Sequence, residues 1–274
     1  MQGRAVFRYP ARRLHVANAS RHSHICADNA MVRRACDRGQ ELLRLPSCTG
    51  DGAEMTPLAL DLFCGAGGAS LGLRQAGFRV VGVDISPQPR YPFEFKCRDA
   101  LDASLTLDRY DFIWASPPCQ AHTAMKTMHN AKPHDDLIAP IRAMLKRSGK
   151  LYCIENVEGA PLINPFTLCG TMFSLRGHGA QLRRHRIFET NFPVIAPECS
   201  HDRGPTIGIY GGHVRNRKRR PGSNARGVED FPIEAAHEAM QITYMTLGEL
   251  SQAIPPAYSN HIARAALNHM RLVA

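Results

Sequence analysis

From Leu58 onward, short apolar runs alternate with turns and stretches of helical spacing. Leu58-Ala59-Leu60-Asp61-Leu62-Phe63 is almost continuously apolar, the pattern of a strand covered on both faces in a parallel sheet. It breaks into Cys64-Gly65-Ala66-Gly67-Gly68, and 69–77 then has helical spacing with a glycine stop at Gly77. Further strands are predicted over 78–83, ending at Asp84, over a short stretch before Asp99, over 110–115 and over 151–154. Strand, glycine turn, helix and strand are how a doubly wound sheet opens its cofactor crevice, so the expected fold is α/β and Rossmann-like. No run of eighteen apolar residues occurs, so no membrane span is predicted.

The pattern fails in two places. Residues 1–55 are rich in arginine and poor in periodicity, apart from a helical hint over 36–45, and they close on the loop-like Ser47-Cys48-Thr49-Gly50-Asp51-Gly52. They are expected to be a disordered basic extension, or the product of a start placed too early with Met55 as the true one. A basic arm on DNA phosphates and a transit peptide are the alternatives. Between Phe188 and Met245 the apolar pattern thins again. A strand is predicted over 206–210, leading to Gly211-Gly212. His213-Val214-Arg215-Asn216-Arg217-Lys218-Arg219-Arg220 is then a dense cationic run. The expected organisation is a catalytic domain over 56–190 and 241–274, interrupted by a small, irregular or β-rich insert over 191–240.

Composition narrows the partners. The chain has 274 residues, with 44% apolar and 21% charged side chains, which is globular and not disordered composition. The 34 basic residues exceed the 24 acidic ones, for a net charge of +10; a polyanion such as nucleic acid is favoured. The nine cysteines are scattered, odd in number and without tight CxxC pairs. Neither a disulfide framework nor a zinc ribbon is expected, and a reducing cytoplasm is. His22, His24 and Cys26 could ligate zinc, but no second half of a site accompanies them, so no metal is expected.

Candidate chemistry gathers where the predicted strands end. Glycines in the 64–68 turn let a ligand approach backbone that a Cβ would shield. Asp84, about twenty residues on, can accept hydrogen bonds from both hydroxyls of a ribose. The turn lacks GxGxxG spacing and no P-loop lysine follows, so a nucleoside cofactor without a pyrophosphate fits better than NAD. Asp99 could bind an adenine amino group. In Ser116-Pro117-Pro118-Cys119-Gln120 two prolines stiffen a turn that holds a cysteine past a strand end, a nucleophile's position. Glu155-Asn156-Val157 puts a carboxylate at the end of the next strand.

Asp61-Leu62-Phe63-x-Gly65-x-Gly67-Gly68, Pro117-Pro118-Cys119-Gln120, Glu155-Asn156-Val157 and Arg184-His185-Arg186, in this order, resemble the motifs of the cytosine-5 DNA methyltransferases. The stretch from Gly248 to Ala263 resembles the family's closing motif. The resemblance spans roughly 57–190 and 245–265, and the chain is compact, like phage and small bacterial members. It departs in one block, usually Gln-x-Arg-x-Arg, because Gln181 stands one residue too early and is not carried over. The stretch from Glu155 to Arg184 is also short for the family.

The resemblance implies covalent catalysis. Cys119 would add to cytosine C6 as a thiolate. Glu155 would hydrogen-bond N3 and the exocyclic amine. Arg186, with Arg184 nearby, would hold O2 and its developing charge. The methyl donor would be S-adenosyl-L-methionine, lined by Phe63, Gly65, Ala66, Gly67, Gly68 and Pro118, with Asp84 on its ribose, Ile85 against the adenine and Asp99 at the adenine amine. Pro118 would also line the pocket of the flipped base. The partner would be double-stranded DNA, met by a monomer in the cytoplasm. Gln120 and His122 belong to a loop expected to close over the base, with Thr123, Lys126 and Lys132. Arg215, Asn216, Arg217, Lys218, Arg219 and Arg220 are expected to contact DNA in the target-recognition region, reading a short site of no more than about six base pairs. An RNA cytosine-5 methyltransferase would keep Cys119 and Glu155, and an inactive DNA-binding scaffold is a further alternative. An amino-group methyltransferase is disfavoured, since that chemistry uses an Asp/Asn-Pro-Pro-aromatic turn and no thiol.

Overall fold

The computed structural model describes residues 56–102, 105–119, 122, 136–211, 213–216 and 230–273. The basic extension over 1–55, including His22, His24 and Cys26, lies outside the described residues, as do Gln120, Thr123, Lys126, Lys132 and the run 217–220.

β1 (Leu58–Leu62) is buried at every residue, as its two-sided apolar pattern requires. It leads through the glycine turn into α1 (Gly68–Ala76), which ends on Gly77 at φ 114, a left-handed cap that favours glycine. β2 (Arg79–Asp84), β3 (Glu94–Cys97) and β4 (Phe112–Ala115) follow. β4 is shorter than the run 110–115 predicts, because Asp111 turns aside: its Oδ2 accepts the Leu58 N–H at 2.7 Å. After α2 (Ile138–Ser148) comes β5 (Leu151–Asn156), which continues past Ile154 and carries Glu155 and Asn156 within the strand. Next are β6 (Phe166–Leu168), β7 (Arg176–Gly177), β8 (Ala180–Leu182) and β9 (Arg186–Thr190). β10 (Thr206–Tyr210) spans its predicted residues, and β11 (His213–Asn216) follows it. The chain closes with α3 (Ile233–Met240), α4 (Leu247–Gln252) and α5 (Pro256–Val273).

Among the described residues these strands form two sheets. The larger has the order β3-β2-β1-β4-β5-β9-β6. Its first five strands are parallel. The chain moves outward from β1 through β2 to β3, then returns to pair β4 on the other side of β1. That reversal makes the crevice beyond β1 and β4 the place where such sheets bind ligands. β9 runs antiparallel to β5 with Asn156 opposite Ile187, so its first residue, Arg186, starts beside the end of β5. The second sheet has the order β11-β10-β8-β7, and it draws β7 and β8 from ahead of residue 191, the expected start of the insert. α3 lies on it so closely that a Cβ on Gly177 would stand 1.9 Å from the Ala235 carbonyl oxygen.

Two apolar layers cover the large sheet. Phe78, Trp114, Phe188, Tyr258 and Ile262 belong to one, and Leu60, Leu62, Ile113, Ile141 and Leu145 to the other. In the first layer α1 packs on α5 almost backbone to backbone. Ser259 Oγ donates to the Ala69 carbonyl at 2.8 Å, and Asn260 Nδ2 to that of Gly72 at 3.3 Å. A Cβ on Gly72 would meet the Pro256 carbonyl and Ser259 Oγ, each at 2.1 Å. Helix propensity favours alanine over glycine by about 1 kcal/mol, whereas forcing extra volume into a tight contact costs about 1–3 kcal/mol or more. The clash involves backbone and wins. Gly72→Ala is therefore expected to lower the unfolding free energy by at least about 1 kcal/mol, read as a fall in urea midpoint. Gly248→Ala in α4, where nothing stands within 4 Å of the added carbon, should leave the midpoint unchanged or raise it.

Candidate active site

The turn after β1 is held open by backbone conformations that few residues adopt. Phe63, Gly65 and Gly67 have φ of 61, 48 and 92. A Cβ on Gly65 would meet nothing within 4 Å, while one on Gly68 would stand 2.6 Å from the Ile254 carbonyl oxygen. Gly65 thus faces open space suited to a ligand, and Gly68 serves the approach of 253–254. Asp84 sits across from this turn at the end of β2. Its Oδ2 accepts the Gly65 N–H and its Oδ1 the Ser86 N–H, both at 3.0 Å. Each oxygen keeps a further lone pair. Next to it Ile85 is 72% exposed, a large apolar side chain open to a flat partner. Asp99, just beyond β3, is exposed and accepts the Leu101 N–H at 2.9 Å. Ala66 is buried and its carbonyl accepts from Tyr244 Oη at 3.1 Å. The acceptor and apolar surface present fit a nucleoside: a carboxylate that can accept from two hydroxyls, an exposed aliphatic face for a base, and a backbone clear of Cβ atoms.

Beneath the turn lies a polar group of side chains, of which Asp61 alone belongs to a sequence motif and none carries an expected role. The Asp61 carboxyl, inside β1, receives the Ser70 hydroxyl, and Ser70 Oγ stands 2.7 Å from Tyr91 Oη. Burial pushes the Asp61 carboxyl up to about 7. The Tyr91 ring fills the space left by Gly82, where a Cβ would fall 2.3 Å from Tyr91 Cζ. An aspartate interrupting an apolar strand run was the available signal.

The Pro-Pro-Cys turn is clamped on two sides. The Ser116 N–H reaches the Leu62 carbonyl at 3.1 Å, and buried Asn156 Nδ2 donates to the Pro117 carbonyl at 3.0 Å. Pro118 is exposed and Cys119 half-buried at the end of this turn. Glu155 is 6% exposed, and Arg186 Nε lies 3.3 Å from its Oε1. Burial raises the Glu155 carboxyl above its ordinary value, with the Arg186 charge opposing. Burial, and then the Glu155 charge, also push the Cys119 thiol up, and Arg186 pulls it back. The three side chains form one electrostatic unit, in which Arg186 favours the anionic form of both partners.

Arg184 corrects an expectation. Expected beside Arg186 as a second ligand for the base, it is 2% exposed and its guanidinium is committed elsewhere. Nη1 donates to the Ile209 carbonyl at 3.2 Å, and Nη2 to those of Ser251 and Ala253 at 2.6 and 3.0 Å. Its own carbonyl accepts from Tyr258 Oη at 2.7 Å. It is a positioning residue that ties β10 and the end of α4 to the segment carrying Arg186.

A cleft of about 300 Å³ opens in front of Arg186, lined by His122, Val157, Glu158, Arg183, His185 and Tyr210. His122 Nε2 stands 3.1 Å from Asp136 Oδ1. Arg215 is exposed on β11, 3.9 Å from Asp230. Asn216, at the end of that strand, has a buried Oδ1 without a hydrogen-bond partner.

Two outcomes follow from these contacts. Only thiolate alkylates, so Cys119 modification by iodoacetamide, followed by peptide mass spectrometry, should rise with pH to above the ordinary thiol range. Removing the carboxylate in Glu155→Gln should speed it at fixed pH, and Arg186→Met should slow it. The two arginines should also separate. Arg184→Met strands one buried and two partly buried carbonyls and is expected to cost about 3 kcal/mol of stability. Arg186→Met leaves the buried Glu155 carboxylate without its partner, so its cost in a thermal melt should shrink as pH falls and Glu155 takes up a proton, whereas the Arg184→Met cost should not.

Residues 59–162 match the family model of the C-5 cytosine-specific DNA methylases. The type II methyltransferase M.XorII of Xanthomonas oryzae pv. oryzae is 30% identical over 121 residues, which are 38% of this chain and 28% of that protein; the match thus spans under a third of the relative's length. A solved structure described as a DNA modification methyltransferase encoded within an E. coli prophage covers 78% of this chain and 99% of its own, at TM-score 0.53 and 11% identity. A Spodoptera frugiperda DNMT2 mutant covers 77% and 99%, at TM-score 0.51 and 12% identity. At these identities the two structures show a shared fold. The matched segment contains the glycine turn, Pro117-Pro118-Cys119 and Glu155-Asn156-Val157, on strands that end at one crevice, and over it the chain is similar to the C-5 cytosine-specific DNA methylases.

Proposed function

We propose that this chain is a DNA (cytosine-5-)-methyltransferase that uses S-adenosyl-L-methionine. The observation that carries this reading is the convergence of Cys119, Glu155 and Arg186 from β4, β5 and β9, with the Glu155–Arg186 pair at 3.3 Å, on the same edge as the Asp84 cradle. Cytosine C5 is a weak nucleophile. Cys119 Sγ adds to C6 and makes C5 enamine-like. Glu155 hydrogen-bonds N3 and the exocyclic amine. Its raised carboxyl can hold the proton that N3 needs as the thiolate adds. Arg186 faces O2 and the negative charge that develops there. Once C5 carries the methyl group, loss of the C5 proton restores the ring double bond and expels the thiolate.

S-adenosyl-L-methionine supplies an electrophilic methyl group when bound. Asp84 would hold its ribose, Ile85 would lie on its adenine, Asp99 would accept from the adenine amine, and Phe63, Gly65, Ala66, Gly67, Gly68 and Pro118 would line it. A duplex hides C5 and C6 in the stack, so the base must leave it; Pro118 and the cleft residue His122 would border its pocket. Residues 56–190 and 241–274 would form the catalytic domain and 191–240 the target-recognition region. There Arg215 and Asn216 stand on a sheet beside the cleft, and the cations at 217–220 add phosphate contacts.

The test supplies unmethylated duplex DNA and unmodified tRNA separately, with the methyl donor, and reads 5-methylcytosine by mass spectrometry. Methylation of DNA that vanishes in Cys119→Ala is expected. Glu155→Gln should lower the rate by about 10²–10⁴, and Arg186→Ala by about 10²–10³. Product in RNA alone would establish the RNA reading. No product in either would mean a DNA-binding scaffold without activity.

A further inference from the structure

Outside the catalytic edge, four side chains with metal-ligand chemistry point at one another. Cys169, His185, Cys199 and His201 each place one ligand atom so that all four lie within 4.8 Å. Cys199 Sγ stands 3.0 Å from His201 Nε2 and 3.4 Å from His185 Nε2, and Cys169 Sγ stands 3.4 Å from His201 Nε2. A tetrahedral ion with bonds of about 2.3 Å to sulfur and 2.0–2.1 Å to nitrogen has ligand–ligand edges of roughly 3.3–3.8 Å. The cluster therefore has the size of a single tetrahedral site. Its sulfurs and nitrogens interleave, whereas a Rieske-type two-iron cluster needs a thiolate pair on one metal and an imidazole pair on the other.

The surroundings are those of ligands being oriented. His185 turns Nε2 into the cluster while its Nδ1 lies 3.8 Å from Glu158 Oε1, the carboxylate behind a ligating histidine that metal sites commonly keep. Thr171 Oγ1 donates to Cys169 Sγ at 3.3 Å and stands 3.9 Å from Cys199 Sγ. Cys169 is fully buried. As a purely hydrogen-bonded group the cluster is poor, since thiols are weak donors and weak acceptors. As a ligand set it is balanced: two thiolates and two neutral imidazoles match a divalent cation, with S₂N₂ donors that select zinc.

We propose that these four residues bind a structural Zn²⁺ that staples the recognition segment to the catalytic domain. Cys169 follows β6, His185 lies between Arg184 and Arg186, and Cys199 and His201 belong to the connection from β9 to β10. One ion there joins three segments that otherwise meet through loops. It holds the strand start that carries Arg186 against the chain entering the second sheet. Binding deprotonates two thiols and releases their protons to solvent, with no redox step. The cysteine spacing predicts no metal site, because the ligands come from separate segments and only Cys199-x-His201 is local.

The full chain, purified without chelators and freed of loose metal, should carry one zinc per molecule by inductively coupled plasma mass spectrometry. Cobalt exchanged into it should show the visible bands of tetrahedral Co²⁺ and a thiolate-to-metal band in the near ultraviolet. Cys199→Ser with His201→Asn should abolish both, and Cys26→Ser with His22→Ala should keep them. A chain that takes up neither metal overturns the proposal. So does retention of zinc by the first variant, or a Cys169–Cys199 disulfide in protein purified under reductant. If the first variant does not fold, the cobalt spectrum of the unaltered chain still decides. Because the readout is metal and not methyl transfer, failure of the proposed activity leaves this result standing.

Discussion

The parallel placement of β4 between β1 and β5 is the constraint from which the chemistry follows. β1 ends in the glycine turn, β4 in Pro117-Pro118-Cys119, and β5 in Glu155-Asn156. Parallel strands present their carboxyl ends on one edge, so three remote segments deliver a cradle, a thiol and a carboxyl to the same crevice. Local contacts refine what pairing begins. Asn156 beside Glu155 holds the Pro117 carbonyl, so the strand that brings Glu155 also fixes the turn that brings Cys119.

The site is built of charge in a buried setting, and the fold has to compensate for that. An isolated buried carboxylate is costly unless paired. Glu155 has Arg186, which enters antiparallel beside it on β9. The pairing is incomplete compensation, and both Glu155 and Cys119 remain shifted toward their neutral forms. That suits the proposed cycle, in which Glu155 would hold a proton and Cys119 would lose one only when the base is present.

Arg184 and Arg186, two positions apart, make different contacts. Arg184 points inward to the carbonyls of Ile209, Ser251 and Ala253, while Arg186 meets Glu155. The C-terminal motif is thereby explained as scaffold. Tyr258 holds the Arg184 carbonyl, and α5 approaches α1 across Gly72. The last helix thus packs against α1, which follows the glycine turn, and against the segment that leads to Arg186.

Sequence by itself determined the strand-turn-helix order, the α/β class, the motifs that resemble those of the family, and Cys119 and Glu155 as the candidate nucleophile and acid. These are local signals: apolar runs, glycine and proline turns, and a cysteine or carboxylate at a strand end each stay within about ten residues. Tertiary structure alone decided which of Arg184 and Arg186 faces the acid. It also decided that the second sheet recruits 176–182, that Gly65 opens to a ligand while Gly68 packs, and that Cys169, His185, Cys199 and His201 meet. Those outcomes depend on contacts between residues far apart in the chain, where direction and distance are set by packing and leave no periodic trace in the sequence.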